Sequence, residues 1–383
     1  MRQAHLNKSF LRLSLVIALF LLSAAVSYAQ DSPIWTDVQQ AELVSEIGQS
    51  QTIDGVTLTL NWVYVDPQRL AVNYTVESDL NVADLFSPYS TYPILGDSEG
   101  SSFSYSNSTF ETSDTPYKRT ATVEYYSQAV RPGEGTDEWI IDNDYFENQF
   151  ESLPATLNMK FALKLGDFTV DDTFYIPEDS TLKIGDTVEP IGPFEFEFSA
   201  LVHPALTLEP NQTIEARGLS MTLESVSITP MQTTARVCYD MPDTQDWMPK
   251  ATLALDEEVG ILTGISITGT KQEMALETER RCRDLSFQVF HEETPDSLTL
   301  DVGSLATSMM EGPQDWEQIK QVLAEDGIDI EVNFETSPQG GGGLGIDILE
   351  IPDGVDFNEA VDAAREELGK IMRGPWTFTL DLP

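Results

Sequence analysis

Few residues in this chain could do chemistry. Cys238 and Cys282 are its only thiols, and each stands in a strand-like run, Arg236-Val-Cys-Tyr and Arg281-Cys-Arg-Asp-Leu-Ser-Phe. In an oxidising compartment such a pair favours a disulfide; the alternative is two separate buried thiols. Closing the 44-residue separation would contribute roughly 3–4 kcal/mol on a chain-entropy basis, less any strain. His203 and His291 are the histidines beyond the N-terminal segment, and neither has the paired spacing of a zinc site. Both read as surface residues. Ser180-Thr-Leu-Lys183 has the Ser-x-x-Lys form of penicillin-recognising enzymes, but it lies in a turn-and-strand stretch where those enzymes start a helix. Gly264-Ile-Ser266-Ile-Thr268 lacks the last glycine of a nucleophile elbow.

Carboxylates are too numerous for a glycosidase pair to be chosen, because separation in space, and not along the chain, defines that chemistry. Asp142, Asp144 and Glu147 could give hard oxygen ligands to calcium. Their segment lacks the glycine and regular ligand spacing of a calcium loop, so a solvated acidic loop is the favoured reading. No catalytic or cofactor-binding residue is assigned, and calcium is the one cofactor the composition admits.

The compartment follows from the N-terminus. Arg2, Lys8 and Arg12 precede an apolar run from Leu13 to Val26, and Ser27-Tyr28-Ala29 offers small residues at a peptidase site. That order predicts a signal peptide over 1–29, cleaved after Ala29; the alternative is an uncleaved anchor. The remaining chain has no second run of spanning length, so any membrane contact would go through that segment. Lys plus Arg number 21 against 64 Asp plus Glu, a formal charge of −43. Such a surface argues against nucleic acid and anionic lipid as partners. With 41% hydrophobic residues the chain is nevertheless a folding one, of a length for two domains.

Two halves repeat one another. Gln51-Thr-Ile opens a segment where Gly55 precedes Val56, Leu58, Leu60 and Trp62 at strict alternation, and Gln212-Thr-Ile opens another with Gly218, Leu219, Met221 and Leu223. Each reaches a proline at the same spacing, Pro67 and Pro230, and then a strand with a tyrosine, Tyr74 or Tyr239. Pro154-Ala-Thr-Leu-Asn-Met and Pro295-Asp-Ser-Leu-Thr-Leu form a second landmark. Gly192-Pro-Phe-Glu-Phe-Glu-Phe and Gly374-Pro-Trp-Thr-Phe-Thr-Leu close the copies. The second copy is longer before its last strand. Trp316, Ile319 and Leu323 predict one helix stopped by Gly327. Asp356 and Glu359 cap another, with Phe357, Ala360, Val361, Ala364 and Leu368 as its stripe. The glycines from 340 to 345 read as a flexible hairpin tip, since no Gly-Lys-Ser/Thr ending makes them a phosphate loop.

The Gln-Thr-Ile opening, the tyrosine-bearing second strand and the Gly-Pro-Trp-x-Phe-x-Leu ending resemble uncharacterised bacterial extracytoplasmic immunoglobulin-like domains. Those occur in tandem as ectodomains of membrane proteins of the anti-sigma-factor type. The resemblance covers nearly all of residues 45–383, names no catalytic residue, and implies a β-sandwich with a sensing or wall-side role. About a dozen residues precede the apolar run, too few for the cytoplasmic helical domain that would hold a sigma factor. The expectation is therefore a mainly β protein of two tandem immunoglobulin-like antiparallel sandwiches. Its parts are a signal segment 1–29, a linker 30–45, a first domain 46–203 and a second domain 208–383 with a helical insertion at about 305–372. It would be secreted or extracytoplasmic, non-enzymatic, and bind or sense an unknown envelope or extracellular ligand. One alternative is a secreted carbohydrate-active hydrolase using two carboxylates, with Trp139, Tyr145 and Trp247 holding sugar. The other is a structural envelope or adhesion component.

Overall fold

The computed structural model describes residues 33–86, 93–111, 115–132, 139–142, 145–149, 152–170, 180–241, 243, 245–266, 280–307, 313–336 and 342–383. The signal segment thus lies outside the described residues. The chain divides into two compact units, Met1–Ala205 and Leu206–Pro383. It is mainly β, and the two units are tandem antiparallel β-sandwiches, the second with helices inserted before its last strand.

The first unit begins with helix α1 (Pro33–Gln40), followed by β1 (Ser45–Ile53), β2 (Val56–Val65), β3 (Arg69–Ser78), β4 (Ile94–Asp97), β5 (Ser102–Phe110), β6 (Lys118–Pro132) and β7 (Trp139–Asp142). Helix α2 (Tyr145–Gln149), β8 (Thr156–Leu165), β9 (Phe168–Thr169), β10 (Thr187–Val188) and β11 (Ile191–Leu201) complete it. The second unit holds β12 (Leu206–Leu208), β13 (Gln212–Ala216), β14 (Leu219–Thr229), β15 (Gln232–Asp240), β16 (Trp247–Leu255), β17 (Glu258–Ser266), β18 (Arg280–Gln288) and β19 (Ser297–Thr307). Helix α3 (Pro313–Glu325), the hairpin β20 (Asp329–Thr336) and β21 (Gly342–Glu350), helix α4 (Phe357–Glu367) and β22 (Ile371–Asp381) follow.

One strand order serves both units. The first runs β1-β2-β3-β6-β5-β4-β8-β11, and the second runs β14-β15-β18-β17-β16-β19-β22 with β13 paired to β14 at the start. The opening hairpins turn alike, through Asp54-Gly55 at φ +50° and +79° and Arg217-Gly218 at +51° and +79°. Positive φ at both turn residues is the pattern of the tight two-residue turn that matches strand twist. Leu60 in β2 and Leu223 in β14 each precede a bulge, fixing the register of one copy on the other. Inward residues at period two then make each core: Val56, Leu58, Leu60, Val72, Tyr74, Phe161 and Phe196 in the first, Met221, Leu223, Val237, Leu285, Leu300 and Phe378 in the second.

Register corrects three letter-based matches. Gln212 faces Leu223 as Gln49, not Gln51, faces Leu60. Tyr239 faces Met221, but Tyr74 faces Leu60 and is the counterpart of Val237. Met159 is the counterpart of Leu298, since each faces the fifth residue after the closing motif's proline, Phe198 or Leu380. Each slip is two residues, which leaves the buried face unchanged. Gln51 instead ties β1 to β11, where no strand pairing joins them: its side-chain amide accepts from Glu195 N at 3.0 Å and donates to Glu195 O.

Gly374 shows why the closing motif needs its glycine. A Cβ there would sit 2.7 Å from Val302 O and 2.9 Å from Trp376 N, both backbone atoms that cannot move aside cheaply. Gly374→Ala is expected to destabilise the second unit by about 1–3 kcal/mol, read as a lowered urea midpoint. An unchanged midpoint would show that the strand gives way freely.

The segment expected to be a linker at 30–45 contains α1. Trp35 buries itself between Trp62 and Tyr64, with ring centroids 5.7 and 5.8 Å away, and its Nε1 donates to Glu124 Oε1 at 2.9 Å. This cover explains why β2 is buried on both faces from Trp62 to Val65. Between β19 and β22, helices α3 and α4 and the β20–β21 hairpin share a core of Trp316, Ile319, Leu323, Ile328, Ile330, Val361 and Ala364. Asp356 caps α4 by accepting from Asn358 N and Glu359 N. Of the glycine run, Gly340 and Gly341 lie outside the described residues, while Gly342, Gly343 and Gly345 belong to β21 of the hairpin, opposite Thr336, Glu335 and Asn333.

Candidate functional site

Strand β18 carries a constellation that its alternation makes unavoidable. Arg281, Arg283, Leu285 and Phe287 share the inward face. Leucine and phenylalanine enter the core, so the two arginines are carried into its end. They are 3% and 1% exposed. Arg281 lies opposite Tyr239 and Arg283 opposite Val237 on β15. The chain then turns from β15 to β16, and Asp246, the residue before β16, meets both guanidinium groups. Arg281 Nη1 donates to Asp246 Oδ1 at 2.8 Å and Arg283 Nη2 to the same oxygen at 2.5 Å.

The pairing is incomplete. Two cations share one carboxylate, and Arg281 Nε, Arg281 Nη2 and Arg283 Nε are buried without a hydrogen-bond partner. These are three of the nine such atoms among the described residues, so the deficit concentrates here. The neighbouring polar groups are committed elsewhere. Tyr239 OH, whose ionisation burial pushes up to about 12, donates to Trp247 O at 2.5 Å. Trp247 Nε1 donates to Asp243 Oδ1 at 2.8 Å. Alternation in Arg281-Cys-Arg-Asp-Leu-Ser-Phe is the signal for inward arginines; reading that run for its cysteine alone passes over it.

Cys238 and Cys282 face each other across β15 and β18 and form a disulfide. At the matching register of the first unit, Thr75 faces Thr120 with hydroxyl oxygens 3.0 Å apart. The covalent bridge of one copy thus stands where the other has a hydrogen bond. Glu224 lies close to both sulfurs, but bridged sulfurs offer no thiolate to a metal.

Of the calcium candidates, Asp142 alone has a described side chain. Asp142 is 6% exposed and has Arg131 Nη2 at 3.9 Å from Oδ2. Asp144 lies outside the described residues, as does the side chain of Glu147. Tyr145 between them is buried and donates to Asp97 Oδ2 at 2.7 Å, while Asp97 Oδ1 accepts from Glu99 N and Ser101 N at 2.8 Å each. With a formal charge of −43, the melting temperature is expected to rise with sodium chloride, as screening shortens from about 30 Å at 0.01 M to about 8 Å at 0.15 M. Calcium exceeding magnesium at equal ionic strength would mark a coordinated site; equal effects leave screening alone. A melting temperature indifferent to sodium chloride would contradict the repulsion argument.

The other expected candidates are structural. Both histidines are less exposed than the surface reading expects. His203 stacks on Tyr64 at 5.2 Å and its Nε2 lies 2.6 Å from Leu43 O, in the connection between α1 and β1. His291 Nδ1 is 2.9 Å from Glu293 O, and burial lowers its basicity. Ser180 donates to Asp84 Oδ1 at 2.7 Å, and Lys183 N to Asp186 Oδ2 at 2.8 Å, so the Ser-x-x-Lys pair serves turn structure. Gly264–Ser266 is strand β17, and the rest of that motif lies outside the described residues.

A family described as Domain of unknown function (DUF4179) matches residues 2–78, which hold the apolar run, α1 and the first three strands. A solved structure described as "The crystal structure of the conserved domain protein from Bacillus anthracis" is similar over 90% of this chain and 93% of its own, at 14% identity and a TM-score of 0.46. No curated protein matches. Among the described residues, no helix is long and apolar enough to cross a membrane.

Proposed function

We propose that the chain is an exported, non-enzymatic binding or sensing protein made of two tandem immunoglobulin-like domains. The observation that carries this reading is the burial of Tyr145 and Trp247, two of the aromatics that the hydrolase alternative needs. Tyr145 and Trp247 are each 2% exposed and sit in their cores, unable to stack on sugar. Several carboxylates are similarly occupied: Asp84 and Asp97 hold turns, Asp256 accepts from Asp296 N and Ser297 N, and Asp362 and Asp315 pair with Lys250 and Lys370. Glu77 and Asp79 line a surface groove with Tyr117. They come from one strand end, two residues apart, and Glu77 is tied to Lys118 at 3.0 Å, so they form no opposed pair.

The basic start, apolar run and small-residue cleavage site support export. The resemblance to ectodomains of anti-sigma-factor-type proteins supports sensing over a purely structural role. Incubation with envelope and extracellular polysaccharides, followed by reducing-end measurement, tests the reading. No release is expected. Release that disappears on replacing one carboxylate would overturn the reading in favour of a hydrolase.

A further inference from the structure

We propose that Arg281 and Arg283 form a binding site for a small carboxylate ligand, held beside Asp246 at the end of the second sandwich. The proposal rests on the binding-protein reading above and supplies a ligand class for it.

Four observations carry it. First, two guanidinium cations at 3% and 1% exposure meet one carboxylate, leaving a net positive centre inside a chain of formal charge −43. A buried charge without a counter-charge is strongly disfavoured, so a second anion here would be stabilising. Second, the unpaired atoms Arg281 Nε, Arg281 Nη2 and Arg283 Nε are all donors. Adjacent Nε and Nη donors on one guanidinium present the parallel fork that a carboxylate accepts with its two oxygens.

Third, Asp246 is 31% exposed where its partners are almost fully covered, so the carboxylate end of the cluster meets solvent and the arginines lie directly beneath it. A small ligand can approach from the side where Asp246 already shows how a carboxylate sits. Fourth, the other copy lacks the constellation. At the matching register, Arg119 faces Val76 and Ala121 faces Tyr74. Arg119 lies over the Phe110 and Phe86 rings, 4.5 and 5.6 Å from their centroids, and alanine replaces the second arginine. A pair of buried cations is thus no requirement of the fold; it belongs to the second copy. The overall negative charge favours a compact anion of low charge over a polyanion.

The probes are sodium formate and sodium acetate, titrated against the folded protein with sodium chloride holding ionic strength constant. Both are expected to raise the melting temperature saturably, with half-saturation at about 1–10 mM, as a small ligand held by a few charge-assisted bonds would give. The Nε–H resonances of Arg281 and Arg283 are expected to shift along the same curve in nitrogen-15 spectra. Arg283→Met is expected to abolish the thermal response; should that variant fail to fold, the wild-type arginine resonances still decide. Formate and acetate acting no differently from chloride, with both resonances unmoved, would overturn the site. That outcome leaves the non-enzymatic reading standing, since only polysaccharide turnover removes it.

Discussion

Asp246→Ala is expected to destabilise the protein by about 3 kcal/mol, the lower end of the range for breaking a buried pair because Asp246 is itself 31% exposed. At the size of the second unit this corresponds to a fall of roughly 6–12 °C in melting temperature. The cost arises from what remains. Arg281 and Arg283 cannot shed their charge, and without Asp246 neither has a carboxylate among the interactions described for it. Asp246→Asn, which keeps shape and one acceptor oxygen, is expected to lose less. Added formate is expected to restore part of the loss in Asp246→Ala, because the ion can occupy the missing carboxylate's place. A variant as stable as the wild type would show that the arginines do not depend on an anion at all.

Trp376→Ala is expected to cost about 3–5 kcal/mol, measured as a lowered urea midpoint. Trp376 is fully buried, and its Nε1 donates to Leu219 O at 3.1 Å, connecting the last strand β22 to the first residue of β14. Its counterpart Phe194 has no such donor, so the first sandwich closes without this bond. Trp376→Phe therefore copies the other unit and is expected to lose only about 1 kcal/mol, near the net worth of one hydrogen bond plus slight underpacking. Equal losses for the two substitutions would place the whole contribution in that single bond.

The duplication was legible because strands bury alternate residues. Gly55 to Pro67 and Gly218 to Pro230 keep one spacing, and the strand orders agree. The same periodicity hid the register. A two-residue slip leaves every inward residue inward, so Gln51 could be laid on Gln212, and Tyr74 on Tyr239, at no cost to the pattern. Bulges after Leu60 and Leu223 fix the register, and bulges have no hydrophobic signature. The insertion helices were readable from their apolar stripes and, for α4, the Asp356 cap. Helix α1 was missed because its eight residues have only a short stripe, and its partners Trp62 and Tyr64 are distant in sequence. The arginine pair was visible as charges at core-facing positions, but Asp246, its counter-ion, is 35 residues or more away.

The intact mass of the protein recovered from its own cells tests the central claim most directly, since it reads export and oxidation together. The expected mass is that of a chain beginning at Gln30, two hydrogens lighter than its reduced form through the Cys238–Cys282 bridge. After alkylation without reductant, that mass is expected to stay unchanged. A chain retaining residues 1–29, with both cysteines alkylated, would contradict an exported protein with a bridged second domain.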